Sequence, residues 1–517
     1  MTAAPVRSNP FARRVASVFG AKMVVFGLGL VTTVVVNRLL GPGGKGAYVA
    51  VTAVPAMLGA IALFGLPSAI NFYSARGASV GRLLRSSILF AALISAVSIS
   101  VLWFALPVLE KSILSDAPDD LLRVILIALP ATIVSGFVGT ILYGRHEVKL
   151  YTSIMMGQAI VTLVILVLFV GVLRHGVQGA VWGTVTISFL AALAALVAVW
   201  RVSARHRDGT PTPGRSLVSY GLRAYPASIT GYFNYRADTF IIQAVMVGSA
   251  VPLGLYSMAV TMAELIFYIP DSVTTIFLPT IAGSTAAQAD EKLVRVSRLT
   301  MLVTVVCALA LIPVAWVGLH LVLPKFNDCF PAFLVLLPGV VSLSLAKVLT
   351  SYIGGRGRPG AISVGATVAL ASNLAANLYL IPRWGIVGAS ASSLLSYTAL
   401  AVMMLVVACR LSGLSPFAIV VPGMAEVRVL WSTGMRVLTA LVTRARRDKA
   451  GGDGTGTGEV GGPQAGGEAA GGPQPGGPQP GPEPLNLVAV NPLDAPRGDA
   501  LDLPTDDLLD AATAPRK

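Results

Sequence analysis

From residue 15 to residue 409 the chain is a succession of apolar runs, each about long enough to cross a membrane. The hydrocarbon core of a bilayer is about 30 Å deep, and an α-helix needs roughly 20 residues to cross it. Twelve runs meet that length, at 15–38, 47–70, 84–107, 121–143, 150–173, 179–200, 217–247, 253–278, 298–321, 331–353, 360–381 and 385–409. Lipid offers no partner to a backbone N–H or C=O, so each run must satisfy these groups internally, as a helix. Composition agrees: 55% of the 517 residues are hydrophobic and 12% are charged, where a soluble protein carries about 25% charged residues. The expected fold is therefore an all-α membrane protein with twelve transmembrane helices. Basic residues precede the first run (Arg7, Arg13, Arg14), but no small-residue cleavage site follows it, so it reads as a retained span. The seventh run is long and polar, and its opening "SLVSYGLRAYP" reads as an interfacial lead-in to a kink at Pro226.

The charge pattern orients the spans. The formal net charge is +14, and a polytopic chain places such an excess in its cytoplasmic loops, so nucleic acid is not implied. With the N-terminus inside, every inner loop holds at least two Lys or Arg, and no outer loop holds more than one. The alternation predicts both termini in the cytoplasm and localisation to the inner (cytoplasmic) membrane. Lys45 falls in an outer loop on this reading.

The chain also repeats itself. "GKGAYVAV" matches "PLGLYSMAV", pairing Gly46 with Gly254 and Tyr48 with Tyr256 at an offset of 208. "HGVQGAVWGT" matches "WGIVGASASS", and Tyr143 matches Tyr352, at an offset of 209. Two halves of six spans follow, at 1–208 and 209–412. An even number per half makes the two bundles parallel, related by an axis along the membrane normal, with a central cavity between them. Beyond them, 413–449 contains "AEVRVLWSTGMRVLTALVTRARRDK", which reads as an amphipathic helix on the inner surface. Residues 450–517 are Gly/Pro/Gln-rich and then acidic, a composition expected to be disordered. The acidic end either docks a partner or is merely soluble.

No constellation suited to catalysis is present, so the chain does not read as an enzyme. "GPGGKG" lacks the spacing and the Ser/Thr of a P-loop. The four histidines show no metal-ligand spacing, and Cys307, Cys329 and Cys409 form no CxxC pair, so no metal site, disulfide framework or cofactor is expected. What remains are charged and amide side chains within spans, which are costly in lipid and point to a cavity or a partner. They are Lys22, Arg236, Asp238, Glu264, Asp271 and Lys347, with Asn234, Gln243, Asn373, Asn377 and Gln158 beside them. Lys22 either faces a cavity or snorkels to the interface. Gln158 and the Asn373/Asn377 stripe suit helix packing as well as function. On the seventh helix Tyr232, Arg236, Thr239 and Gln243 share one face. Arg236 and Asp238 lie roughly 200° apart around it and must find separate partners. Glu264 and Asp271 share a face of the eighth segment, where Pro270 breaks the helix. Structural ion pairs among these charges are the alternative to a site.

"NRLLGPGGKGAY", "YRADTFIIQAVMVGSAVPLGLYSMA" and "LIPRWGIVGASASSLLSY" resemble the multidrug/oligosaccharidyl-lipid/polysaccharide exporter superfamily, and within it the polysaccharide-biosynthesis (Wzx-type) lipid-linked oligosaccharide flippases, over residues 11 to about 410. The resemblance implies a V-shaped pair of bundles with segments one, two, seven and eight lining a cavity that opens alternately inward and outward. It implies a polyprenyl-diphosphate-linked oligosaccharide as substrate, with Arg236, Lys22 and Lys347 on the headgroup, Tyr232 and Tyr235 on sugar rings, and Gln243 alongside. Asp238, Glu264 and Asp271 become candidates for coupling to protons or sodium. Membrane lipids, a polysaccharide polymerase and glycosyltransferases are the implied partners. A cation-coupled multidrug exporter, a lipid II flippase (a branch with fourteen spans) and a non-transporting scaffold of a polysaccharide-assembly complex are the other readings.

Overall fold

The computed structural model describes residues 10–112, 119–145, 147–205, 210, 214–246 and 248–424, with 426 and 428. The chain divides into a unit Met1–Arg444 and a unit Ala445–Lys517. The second unit, and most of the expected amphipathic helix at 413–449, lie outside the described residues.

The described residues are helical almost throughout, as the uninterrupted apolar runs require. The helices are α1 (Pro10–Ala62), α2 (Leu66–Ala75), α3 (Val80–Ser112), α4 (Asp119–Leu126), α5 (Ala128–Gly144), α6 (Val148–Leu166), α7 (Gly176–Arg205) and α8 (Gly214–Val245). They continue with α9 (Val251–Glu264), α10 (Tyr268–Ala282), α11 (Ala286–Val317), α12 (Phe330–Gly355), α13 (Pro359–Ser412) and α14 (Pro416–Val420). Among the described residues, nine helical stretches are long and apolar enough to cross a membrane. Their exposed surfaces fit that setting: Trp103, Phe104, Trp316 and Leu321 all project outward from the packed interior. Such a surface is at home in lipid and not in water.

Two helices are far too long to cross straight: α1 has 53 residues and α13 has 54. Each is broken once. Gly41 adopts φ 67° and ψ 179°, and Gly385 φ 56° and ψ −134°. Both lie in the region that favours glycine because a Cβ would clash with the backbone. Pro42, with its fixed φ and absent N–H, suits the first position of the helix that restarts after Gly41. Between α9 and α10 the chain tightens into a 3-10 turn at Leu265–Phe267, just before Pro270, which removes a ladder donor. The break expected there is present.

At the start of the seventh segment, where a lead-in to a kink at Pro226 is expected, α8 runs as one helix of 32 residues with Pro226 inside it. Its early turns pack on protein. Gly221 meets the backbone of Phe64 and Leu66, and Tyr220 stacks on Phe72 at 4.5 Å.

The core falls into several clusters. One, including Ile70, Phe137, Leu142 and Val199, is built from residues 66–217. Two more, around Phe333 and Met262 and around Leu349 and Met404, are built from residues 255–420. A further cluster draws on both parts of the chain, with Val51, Leu102 and Leu122 packed near Ile242, Tyr256 and Ile381. After α13, Ser415 caps α14 by accepting the Ala418 N–H, and Arg298 Nε donates to the Ala418 carbonyl at 2.8 Å.

Candidate functional site

The second part of α1, α8 and α9 enclose a cavity of about 330 Å³. Lys45 and Thr52 line it from α1, Tyr232, Tyr235, Arg236 and Asp238 from α8, and Tyr256 and Thr261 from α9. A second cavity, of about 390 Å³, lies between the first part of α1 and the α9–α10 stretch, lined by Phe26, Thr33, Glu264, Phe267, Tyr268 and Asp271. Thr261 borders both. One short stretch of α8 thus brings two charged residues and two tyrosines into the same space.

Arg236 projects into this space with its side chain 48% exposed. Its one ion pair among the described residues, to Glu264, is long, at 4.0 Å. A guanidinium has five N–H donors in a planar fork, so most remain available for an incoming anion. Lys45 borders the same cavity, and its nearest ring is Tyr48, at 5.8 Å from the centroid. Among the described residues Lys45 makes no ion pair. Sequence reading missed it because the glycine cluster "GPGGKG" depresses the local hydropathy. The structure restarts the helix at Pro42 and carries Lys45 into the cavity wall.

Asp238 is 5% exposed and behaves differently. Tyr256 and Ser393 donate their hydroxyls to its Oδ2, the latter at 3.3 Å, and the Thr239 N–H donates to Oδ1 at 2.9 Å. These bonds tie α8 to α9 and α13. A further run of buried polar groups leads away from it. Ser396 donates to the Ser393 carbonyl, Asn373 donates to Ser396 at 3.2 Å, and Asn377 donates to Asn373 at 2.8 Å. The Asn373/Asn377 stripe therefore packs α13 on itself across Gly385. Asn234 Oδ1 and Asn377 Oδ1 are buried with no hydrogen-bond partner among the described residues.

The internal repeat is visible in this site. Tyr48 hydrogen-bonds Thr184 at 2.8 Å, while Tyr256 and Ser393 share Asp238. Tyr256 follows Tyr48 by 208 residues and Ser393 follows Thr184 by 209. At the position 209 residues before Asp238 stands Gly29. The same tyrosine–hydroxyl arrangement thus recurs, with a carboxylate added in the second half alone.

The remaining expected residues divide. Lys347 donates to Asp271 at 2.6 Å, an ion pair at the edge of the second cavity, and lies 4.1 Å from the Phe267 ring centroid. Glu264 and Asp271 both line that cavity, on either side of the break before α10. Gln243 shares a helical face with Arg236 but is 8% exposed, lines neither cavity, and has neither amide atom hydrogen-bonded among the described residues. The side chain of Lys22 lies outside the described residues.

A chain of apolar helices around cavities lined by charge defines a class: a multi-pass membrane transporter. The family described as "Polysaccharide biosynthesis protein" matches residues 11–285, and the chain belongs to that family. No curated protein matches it in sequence. Solved structures share the fold. An inward-facing multidrug resistance MATE family transporter of the MOP superfamily superposes with TM-score 0.60 at 15% identity, covering 76% of this chain and 98% of that one. The lipid II flippase MurJ, in an inward closed conformation, superposes with TM-score 0.62 at 12% identity, covering 77% and 90%. An outward-facing MATE transporter gives 0.56 at 15% identity, covering 76% and 94%.

Proposed function

We propose that the protein is a flippase that moves a polyprenyl-diphosphate-linked oligosaccharide across the cytoplasmic membrane by alternating access, for cell-surface polysaccharide synthesis. The observation that carries this reading is Arg236: an exposed guanidinium, weakly paired, inside a cavity flanked by Tyr232 and Tyr235. Arginine takes phosphate through two parallel charge-assisted hydrogen bonds, and tyrosine faces stack on sugar rings. Family membership supports a role in polysaccharide synthesis.

The breaks at Gly41 and Gly385 divide α1 and α13 into two crossings each, and α8, too polar to count by hydropathy, adds another. That division supports twelve crossings in two parallel sets of six, and the basic inner loops support both termini in the cytoplasm. Asp238, buried among hydroxyl donors, supports coupling to protons or sodium. Glu264 is positioned to replace a departing phosphate on Arg236. The polymerase and glycosyltransferases that use the same lipid carrier are the natural partners.

The test is to substitute Arg236→Ala and Arg236→Lys and to measure surface polysaccharide. Loss in the first and a partial loss in the second are expected, because lysine keeps the charge without the planar fork. Normal export by both variants would remove Arg236 from the substrate site.

A further inference from the structure

A larger cavity, of about 550 Å³, lies beside the charged one, enclosed by α1, α2, α4, α5 and α7. Its walls are Ala56, Leu63, Ile125, Leu129, Ile133 and Phe137 with their neighbours, and no charged residue lines it. Five hydroxyls reach it, yet each spends its proton on a carbonyl of its own helix. Thr52 donates to Tyr48, Thr132 to Ala128, Thr140 to Phe137, Thr184 to Ala180 and Ser188 to Thr184, at 2.7–2.9 Å. The wall offers no spare donor, so it suits hydrocarbon and not sugar. Its volume falls in the range of about 300–1,000 Å³ typical of sites that enclose a drug-sized ligand. Thr52 and Ala56 line this cavity and also the cavity that holds Arg236. The apolar space and the cationic one thus share one helix turn of α1 in their walls.

We propose that this cavity receives the isoprenoid units nearest the diphosphate, so that headgroup and proximal lipid are both held by protein. The inference rests on reading the charged cavity as the site of an anionic headgroup. Lipid tails are as apolar as the cavity wall, so leaving the bilayer brings the chain no hydrophobic gain. What the cavity supplies is register: a branched chain seated against Ala56 and Thr52 fixes how far the diphosphate reaches toward Arg236.

Filling the cavity tests this. Gly59 lines it with only Leu129 Cδ1 near its Cβ direction, at 3.8 Å, and Gly136 has nothing within 4 Å. A Cβ is thus accommodated in ordinary contact at Gly59 and in open space at Gly136, so Gly59→Leu and Gly136→Leu can add volume to the wall. The full chain in nanodiscs is titrated with farnesyl diphosphate and with inorganic diphosphate. Both filled variants should lose affinity for farnesyl diphosphate, because a displaced chain no longer sets the diphosphate against Arg236, with inorganic diphosphate unchanged. Arg236→Ala should weaken both ligands. Unchanged farnesyl diphosphate binding in both filled variants would overturn the inference while leaving the headgroup reading intact. Loss of inorganic diphosphate along with farnesyl diphosphate would also overturn it, because the cavity would then serve folding alone. Unchanged binding of both ligands in Arg236→Ala would instead sink the headgroup reading.

Discussion

Alanine at Gly46 or Gly254 tests whether a close helix crossing near the charged cavity acts as its gate. The two glycines are repeat partners, 208 residues apart, and they meet where the second part of α1 crosses the start of α9. A methyl on Gly46 would lie 1.7 Å from the Ala250 carbonyl oxygen, and one on Gly254 would lie 1.9 Å from the Pro42 carbonyl oxygen. Ala250 itself follows Pro42 by 208 residues, so the contact is symmetric between the halves. Non-bonded atoms settle about 3.5 Å apart, so either methyl must push the two backbones apart by roughly 2 Å. Overpacking of this kind costs about 1–3 kcal/mol, which moves a two-state equilibrium about 5- to 150-fold. If this crossing is the gate, the cavity should therefore open more often. The assay places a reporter Thr52→Cys in the cavity wall, with Cys307, Cys329 and Cys409 replaced by serine. It follows labelling by an impermeant maleimide added to intact cells. Labelling should accelerate by a factor in that range in Gly46→Ala and Gly254→Ala, and stay level in Gly27→Ala, where a Cβ meets nothing within 4 Å. Equal labelling rates in all of these would refute the idea that this crossing is the closed gate.

Other perturbations give separate readings. Tyr256→Phe removes a hydroxyl from the buried Asp238, and a hydrogen bond to a charged group is worth about 1.5–3 kcal/mol; thermal unfolding in detergent should fall measurably, and more than for Ser393→Ala, whose bond is longer at 3.3 Å. Lys347→Gln alone leaves Asp271 unpaired, whereas the Lys347→Gln, Asp271→Asn double variant removes both charges. Export restored by the double variant marks the pair as structural, and export still lost assigns Lys347 to the substrate. Deleting residues 450–517 should leave export intact in a surface-polysaccharide assay, and loss of export with normal membrane insertion would favour the scaffold reading.

Much of this was legible in the sequence because lipid is a demanding solvent. The apolar runs had to be helices, and the membrane-embedded charges had to find a cavity or one another. The face carrying Tyr232 and Arg236 was readable from helical spacing, and both side chains line the cavity. The same periodicity carried Gln243 along, but the cavity-facing part of α8 lasts only a few turns, and beyond it that face packs into the interior. Spacing cannot show where a neighbour ends a face. Lys45 was hidden for a different reason. Hydropathy averages over a window, and three glycines beside the lysine mimic a loop where a helix restarts at Pro42. The ion pair of Lys347 with Asp271 links residues 76 apart, a tertiary fact with no local signal. The matched glycines Gly46 and Gly254 were visible as a repeat, but only the structure shows that they touch.

The central claim is that this chain carries a lipid diphosphate past Arg236. The direct measurement reconstitutes the full chain in proteoliposomes with a fluorescent polyprenyl-diphosphate oligosaccharide, and follows its transbilayer movement by quenching of the outer leaflet. The account predicts movement dependent on the protein, lost in Arg236→Ala and partly kept in Arg236→Lys. Movement at the wild-type rate in Arg236→Ala, or none with the wild-type protein under an imposed proton or sodium gradient, would contradict it.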